Sequence, residues 1–326
     1  MIIKKPSKHQ SVSLLVLAVV LGVIIYYVGA TEIMDSLRSI SPWWLLAFIL
    51  LHSTLFLFRA IRWLVILKPL NDDDFPLKTS SLFVILLRSW LLLEVLPARM
   101  GDIYRIYESK RRARISYPKG LTSIIVEKTF DLPTLLLLLI ASFFLAFGLG
   151  KSNATGDIKN LFFFAAFVTV TLSIFLVLFI VYREKILNMV FGVISRFAKK
   201  YEDKLHKGAL EVDKSFNMFT SDAPSLVKTA LLSFPVWLLD GTSIYIISRA
   251  LGYKIPIIVA YTAAFVGILT FIFPLLPGSF GSYEAVVAII LMAGDITLQS
   301  GIIIALIEHI LRILFDATAS LTTFIT

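Results

Sequence analysis

The chain has 326 residues, 58% of them hydrophobic, a net charge of +9 and no cysteine. So large an apolar fraction cannot be hidden in one soluble core, and the lack of cysteine removes disulfides, thiol chemistry and cysteine metal sites. The composition predicts an all-α polytopic membrane protein. Its basic residues flank apolar runs, where they set orientation and meet anionic lipid headgroups, so no nucleic-acid partner is expected.

The first apolar run, 11–30, follows Lys4, Lys5 and Lys8. It is long and closes on no small-x-small site, which marks a retained extra first helix and not a cleaved leader. Spans follow at roughly 41–67, 121–149, 158–182, 224–250 and 300–325, each near the ~20 residues that cross a bilayer. Two more runs, 77–97 and 257–277, end in Leu-Pro, giving six to eight transmembrane helices in all.

Lysine and arginine concentrate at the N-terminus, in 105–119 and in 183–214. The positive-inside rule places all three segments, and both termini, in the cytoplasm, most simply of the plasma membrane. Two crossings precede 77–97. A third there would carry 105–119 outside, so the pattern favours a re-entrant segment over a full span ended by proline. A re-entrant turn must be buried in protein or line a cavity.

The chain also repeats. Leu-Pro-x3-Gly occurs as Leu96, Pro97, Gly101 and again as Leu276, Pro277, Gly281; Pro76 and Pro256 each stand 21 residues before the motif proline. Glu127 follows Gly101 by 26 residues and Glu308 follows Gly281 by 27. The predicted organisation is a single membrane domain, 1–326, with repeat one at 41–150 and repeat two at 223–326. Residues 158–222 supply a connecting helix and a basic cytoplasmic loop. Three crossings separate equivalent points, so the copies face opposite ways. Inverted repeats with broken helices meeting near the midplane characterise many transporters. Proline ends each half-helix and glycine permits the turn. Residues 281–294 fit either a returning half-helix or a short crossing.

Ionisable residues inside spans mark function or pairing. His52, Arg59 and Arg62 share one face of 41–67, and the two guanidinium groups suit a phosphate. Glu127, Lys128 and Asp131 align with Glu308, His309 and Arg312, and Asp240 lies mid-span. The repeat predicts ion pairs Asp240–Arg59 and Asp131–Arg312, serving either a headgroup path or helix packing alone. The first tip adds Arg88, Glu94, Arg99, Asp102 and Arg105; the second adds only Glu284. A cationic cytoplasmic mouth and a nearly uncharged outer one suit an anionic headgroup.

These motifs resemble the lysylphosphatidylglycerol synthase transmembrane region, a family of flippase-like integral membrane proteins. Its Leu-Pro-x-Arg-x-Gly-(Glu/Asp)-x2-Arg is matched by Leu96, Pro97, Arg99, Gly101, Asp102 and Arg105. Its Glu-Arg-x2-Asp is matched by Glu127 and Asp131, with Lys128 in place of arginine, and its Pro-Gly-x2-Gly-x2-Glu by Pro277, Gly278, Gly281 and Glu284. His309 likewise stands where arginine is usual. With the chain ending at Thr326, the resemblance implies a stand-alone flippase or scramblase without the aminoacyltransferase domain of some relatives.

The favoured function is movement of an anionic phospholipid or a polyprenyl-phosphate-linked lipid between leaflets, through a polar cavity between the repeats. No nucleotide-binding motif and no cofactor are expected. Transport is then downhill or ion-coupled, with Glu127, Asp131, Asp240 and Glu308 as proton carriers. Partners are membrane lipids and lipid-synthesising enzymes. Two alternatives stand: a membrane-embedded transferase using the Asp-x-Asp at Asp72 and Asp74, and an ion-coupled small-solute transporter.

Overall fold

A computed structural model describes residues 22, 26, 29–71, 78–96, 99–148, 156–197, 202–271 and 277–322. Most of the expected first helix, Asp72, Asp74, Pro76, Pro97 and residues 323–326 lie outside the described residues. Among those described there is helix and no strand.

A short amphipathic helix, α1 (Ala30–Ser39), comes first, on residues expected only as a connection. It rests Ile33 and Leu37 on the main core, and its Glu32 accepts from Gln299 Nε2 at 2.8 Å. Helix α2 (Pro42–Leu67) opens with proline at its first position, where no backbone donor is lost, and 26 residues at ~1.5 Å rise cross a bilayer with room to tilt. The 77–97 run becomes α3 (Thr79–Val95), and α4 (Met100–Ala113) returns along it. Gly101 makes the return possible: a Cβ there would lie 2.0 Å from the carbonyl oxygen of Ser89 and 2.6 Å from Leu93. The Ser89 hydroxyl donates to the Gly101 carbonyl at 2.9 Å. The segment is a hairpin of two helices, the form that a re-entrant path takes.

Helix α5 (Tyr117–Phe143) is capped by Ser116 and runs into a π-helical turn, Phe144–Gly148. Helix α6 (Gly156–Val181) is apolar on nearly every face and exposes Phe163, Phe164 and Phe167, as a helix bathed in lipid does. The basic segment expected as a loop is instead a pair of amphipathic helices, α7 (Arg183–Phe197) and α8 (Glu202–Ser221). Their apolar stripes explain the difference: Phe216 and Phe219 of α8 close over Ile66, Leu70 and Val126.

The second copy repeats the first. Helix α9 (Ala223–Ala250) spans, α10 (Ile257–Ile268) enters, α11 (Ser282–Leu291) returns and α12 (Leu298–Thr322) ends the described chain. Ten residues of α11 rise ~15 Å, half a bilayer, the length of a half-helix. Gly267 of α10 admits Tyr283 and Val287 of α11 against its backbone. Helices α2, α5, α6 and α9 are long and apolar enough to span by composition alone; α12 has the length but carries Glu308, Arg312 and Asp316.

Packing between the copies is reciprocal. The first spans, α2 and α9, lie against each other. Helix α3 packs on α12 of the other copy, and α10 packs on α5.

Candidate functional site

The polar residues of the apolar spans converge between the copies as two linked ionic clusters. In the inner one, Arg59 of α2 donates to Asp240 of α9 at 2.8 Å, forming the first pair that the repeat predicted. Asp240 also receives Arg312 of α12 at 3.2 Å, and Arg312 reaches Glu308 one turn back. Glu308 accepts from Ser243 at 2.5 Å and from Tyr283 Oη at 2.9 Å. The Arg59 guanidinium lies over the Trp90 ring, 3.8 Å from its centroid. All four charged side chains are buried, where desolvation offsets much of each pair's attraction and the loss of one partner is costly.

The second cluster joins α2, α4, α5 and α9. Arg62 donates to Asp131 at 2.6 Å and to Ser233 at 3.0 Å, and lies 3.6 Å from Glu127. Arg105 of α4 donates to Glu127 at 2.6 Å and stacks over Trp63, 4.0 Å from its centroid. Lys128 reaches Asp131 at 3.1 Å, and Trp237 Nε1 donates to the same carboxylate at 3.1 Å. Three cations thus face two carboxylates, and the cluster keeps one positive charge.

The expected Asp131–Arg312 pair does not form. An axis in the membrane plane carries a residue to the opposite depth, so equivalent positions meet only where they lie close to that axis. Asp131 sits at the level of Arg62, and Arg312 at the level of Asp240. Arg59 and Arg62, whose guanidinium groups suit a phosphate, are each bound to a carboxylate here.

The equivalence of Glu127 and Glu308 has a structural counterpart. Each is the glutamate of its copy's last helix, and each grips the returning half-helix beside it, Glu127 through Arg105 and Glu308 through Tyr283. At the second tip Glu284 accepts from the Gly281 backbone N–H at 2.6 Å and meets His309 Nδ1 at 2.7 Å.

The tips touch. Gly278, at φ 62°, leaves no room for a Cβ, which would fall 2.3 Å from the Glu94 carbonyl oxygen. Arg99, half-exposed, binds Asp102 at 2.8 Å and reaches the Phe271 carbonyl at 3.3 Å. Pro277 opens the short helical turn that carries Gly278. Glu94 is buried at the end of α3 and faces a small cavity with Arg59, Asp240 and Arg312, whereas Arg88, also buried, does not line it. That cavity has room for about one water molecule, far less than the headgroup passage expected between the repeats.

Sequence reasoning missed Ser233, Trp237 and Ser243, which bond the ionic residues from α9. With Asp240 they follow a three-to-four residue spacing, a polar stripe along an apolar span that could have been read. Tyr283 carried no such signal. Beside the second tip runs an apolar groove of about 300 Å³, walled by Phe164 and Val168 of α6, Leu269 beyond α10, and Ser282 and Val286 of α11.

Among known proteins, the chain is 26% identical over 296 residues to a UPF0104 membrane protein of Methanothermobacter thermautotrophicus, covering 86% of this chain and 85% of that one. It is 25% identical over 329 residues to glycosyltransferase AglD of Haloferax volcanii, covering 92% of this chain and 51% of AglD, about half the length of that relative. A UPF0104 membrane protein of Methanocaldococcus jannaschii is 25% identical over 227 residues, covering 68% of this chain and 90% of that one. No solved structure matches the chain. The model of the lysylphosphatidylglycerol synthase TM region matches residues 10–320, and the chain therefore belongs to that family of integral membrane proteins.

Proposed function

We propose that the protein moves an anionic lipid between leaflets of the plasma membrane, its headgroup passing between the two hairpin tips while its chains stay in the bilayer. The observation that carries this reading is the apolar groove, which leads from the lipid-facing side of α6 to the second tip. A small hydrophilic solute has no use for such a wall; a lipid tail does. The surplus positive charge of the Arg62–Arg105–Lys128 cluster supports an anionic headgroup, and arginine forks suit phosphate. The tips lie closed, so passage requires their separation.

A second reading, a membrane-embedded glycosyltransferase, is favoured by the name of the Haloferax relative. Among the described residues no cluster of histidine and carboxylate side chains could hold a metal ion.

Leaflet exchange of fluorescent anionic, zwitterionic and polyprenyl-phosphate lipids, in liposomes holding the purified protein, tests the proposal. Headgroup-selective exchange that falls at least about tenfold, the equivalent of ~1.4 kcal/mol, in Arg59→Ala and Glu308→Ala is expected. No exchange of any probe, with sugar transferred from a nucleotide-sugar to a lipid acceptor, would move the assignment to the transferase.

A further inference from the structure

Two buried carboxylates take no part in the ionic clusters. Glu94, at the end of α3, and Asp316, one turn beyond Arg312 on α12, both line the water-sized cavity. Glu94 is 3% exposed and Asp316 2%, and Glu94 Oε2 and Asp316 Oδ1 have no hydrogen-bond partner. His52, 2% exposed, faces the same cavity with its Nδ1 also unpartnered.

The charges do not balance. Arg59 and Arg312 are already matched by Asp240 and Glu308. Adding Glu94 and Asp316 sets four carboxylates against two guanidinium groups, and His309 is engaged by Glu284. An uncompensated charge in a low-dielectric interior costs several kcal/mol, and a buried carboxylate escapes that cost by binding a proton. A sodium ion fits less well, because two arginines face the cavity and its volume leaves no room for a hydrated ion.

We propose that Glu94, Asp316 and His52 form a proton-binding site, and that its loading couples movement of the first tip to the proton gradient. The site joins what must separate: Glu94 belongs to the hairpin tip, and its carbonyl lies against Gly278 of the other tip, while Asp316 belongs to helix α12. A proton held between them neutralises their repulsion and keeps the tip docked. Its loss restores two like charges and drives the tip away. The groups that set this balance are His52 and Arg59 from α2, Asp240 from α9 and Arg312 from α12, with Glu308 and His309 behind them. Glu127, Asp131, Asp240 and Glu308, also expected as proton carriers, are each paired with a cation here.

Infrared difference spectroscopy of the protein in liposomes reads the site directly, through the carbonyl stretch of a protonated carboxylic acid. A band that bleaches as pH rises, shrinks in Glu94→Gln and in Asp316→Asn, and vanishes in the double variant is the expected result. Its absence from the unmodified protein at every pH, or its survival in the double variant, overturns the site. So does a melting temperature raised by sodium chloride but not choline chloride and lost in the double variant, which would put a sodium ion there. The coupling rests on the transport reading above: a pH step across the membrane should change lipid exchange several-fold, a ratio that falls to one in either variant. Exchange that ignores the pH step overturns the coupling. If no lipid is exchanged at all, the transport reading fails and the infrared band still decides the site.

Discussion

At the scale of single residues, Asp240 holds more than its charge suggests, because two arginines share it. Replacing it by asparagine breaks the buried ion pair of Arg59 and one of the two held by Arg312, at a cost of roughly 3–5 kcal/mol. Arg59→Met should destabilise distinctly less, since Asp240 then keeps Arg312. Melting of both variants in detergent checks the order. Glycines give a second contrast. Gly101→Ala forces a Cβ into the Ser89 carbonyl and should cost about 1–3 kcal/mol. Gly208→Ala, inside α8 with nothing within 4 Å, should stabilise by about 0.5–1 kcal/mol through helix propensity. Sequence reasoning reached Arg59–Asp240 because both lie at one depth of paired spans. It failed for Asp131–Arg312 because depth, not alignment, decides who meets. The hydroxyl and indole partners on α9 were lost in an apolar span whose few polar residues look unremarkable one at a time.

At the scale of elements, the α3–α4 hairpin decides the topology. Lys78 precedes it and Arg114 follows it, both exposed. Since the chain has no cysteine, Lys78→Cys and Arg114→Cys can each be labelled cleanly with a membrane-impermeant maleimide. Both should react from the same side of sealed vesicles; labelling from opposite sides would mean that α3 crosses. The hairpins were legible because Leu-Pro-x3-Gly and the flanking basic residues constrain the path of the chain twice over. The helices α1, α7 and α8 were not, since charged amphipathic segments read as solvated loops until a surface is present for their apolar stripes. For α8 that surface is Ile66, Leu70 and Val126, contributed by α2, α5 and the turn after α2.

At the scale of the whole molecule, the reciprocal packing of α3 on α12 and α10 on α5 makes each hairpin a guest of the opposite copy. Moving one therefore disturbs both. The groove between α6 and the second hairpin is the open flank of this arrangement, and Val168, partly exposed in its wall, is the place to block it. Val168→Trp should slow lipid exchange by about tenfold, ~1.4 kcal/mol on the barrier, while the melting temperature stays close to that of the unmodified protein. An equal loss of stability and transport would mean that the groove is mere packing. The paired copies were visible in the chain as ordered prolines, glycines and glutamates, but the closure between them was not. It depends on Gly278 lying against a carbonyl 184 residues earlier, a contact no local pattern records.

That backbone contact also has an electrical meaning. Among the described residues the tips meet at Gly278 and Glu94, and the cavity behind that contact holds about one water molecule, too little for a file of water at that point. Planar bilayers holding many copies should conduct no better than bare lipid, so a cell can carry the protein without short-circuiting its membrane potential.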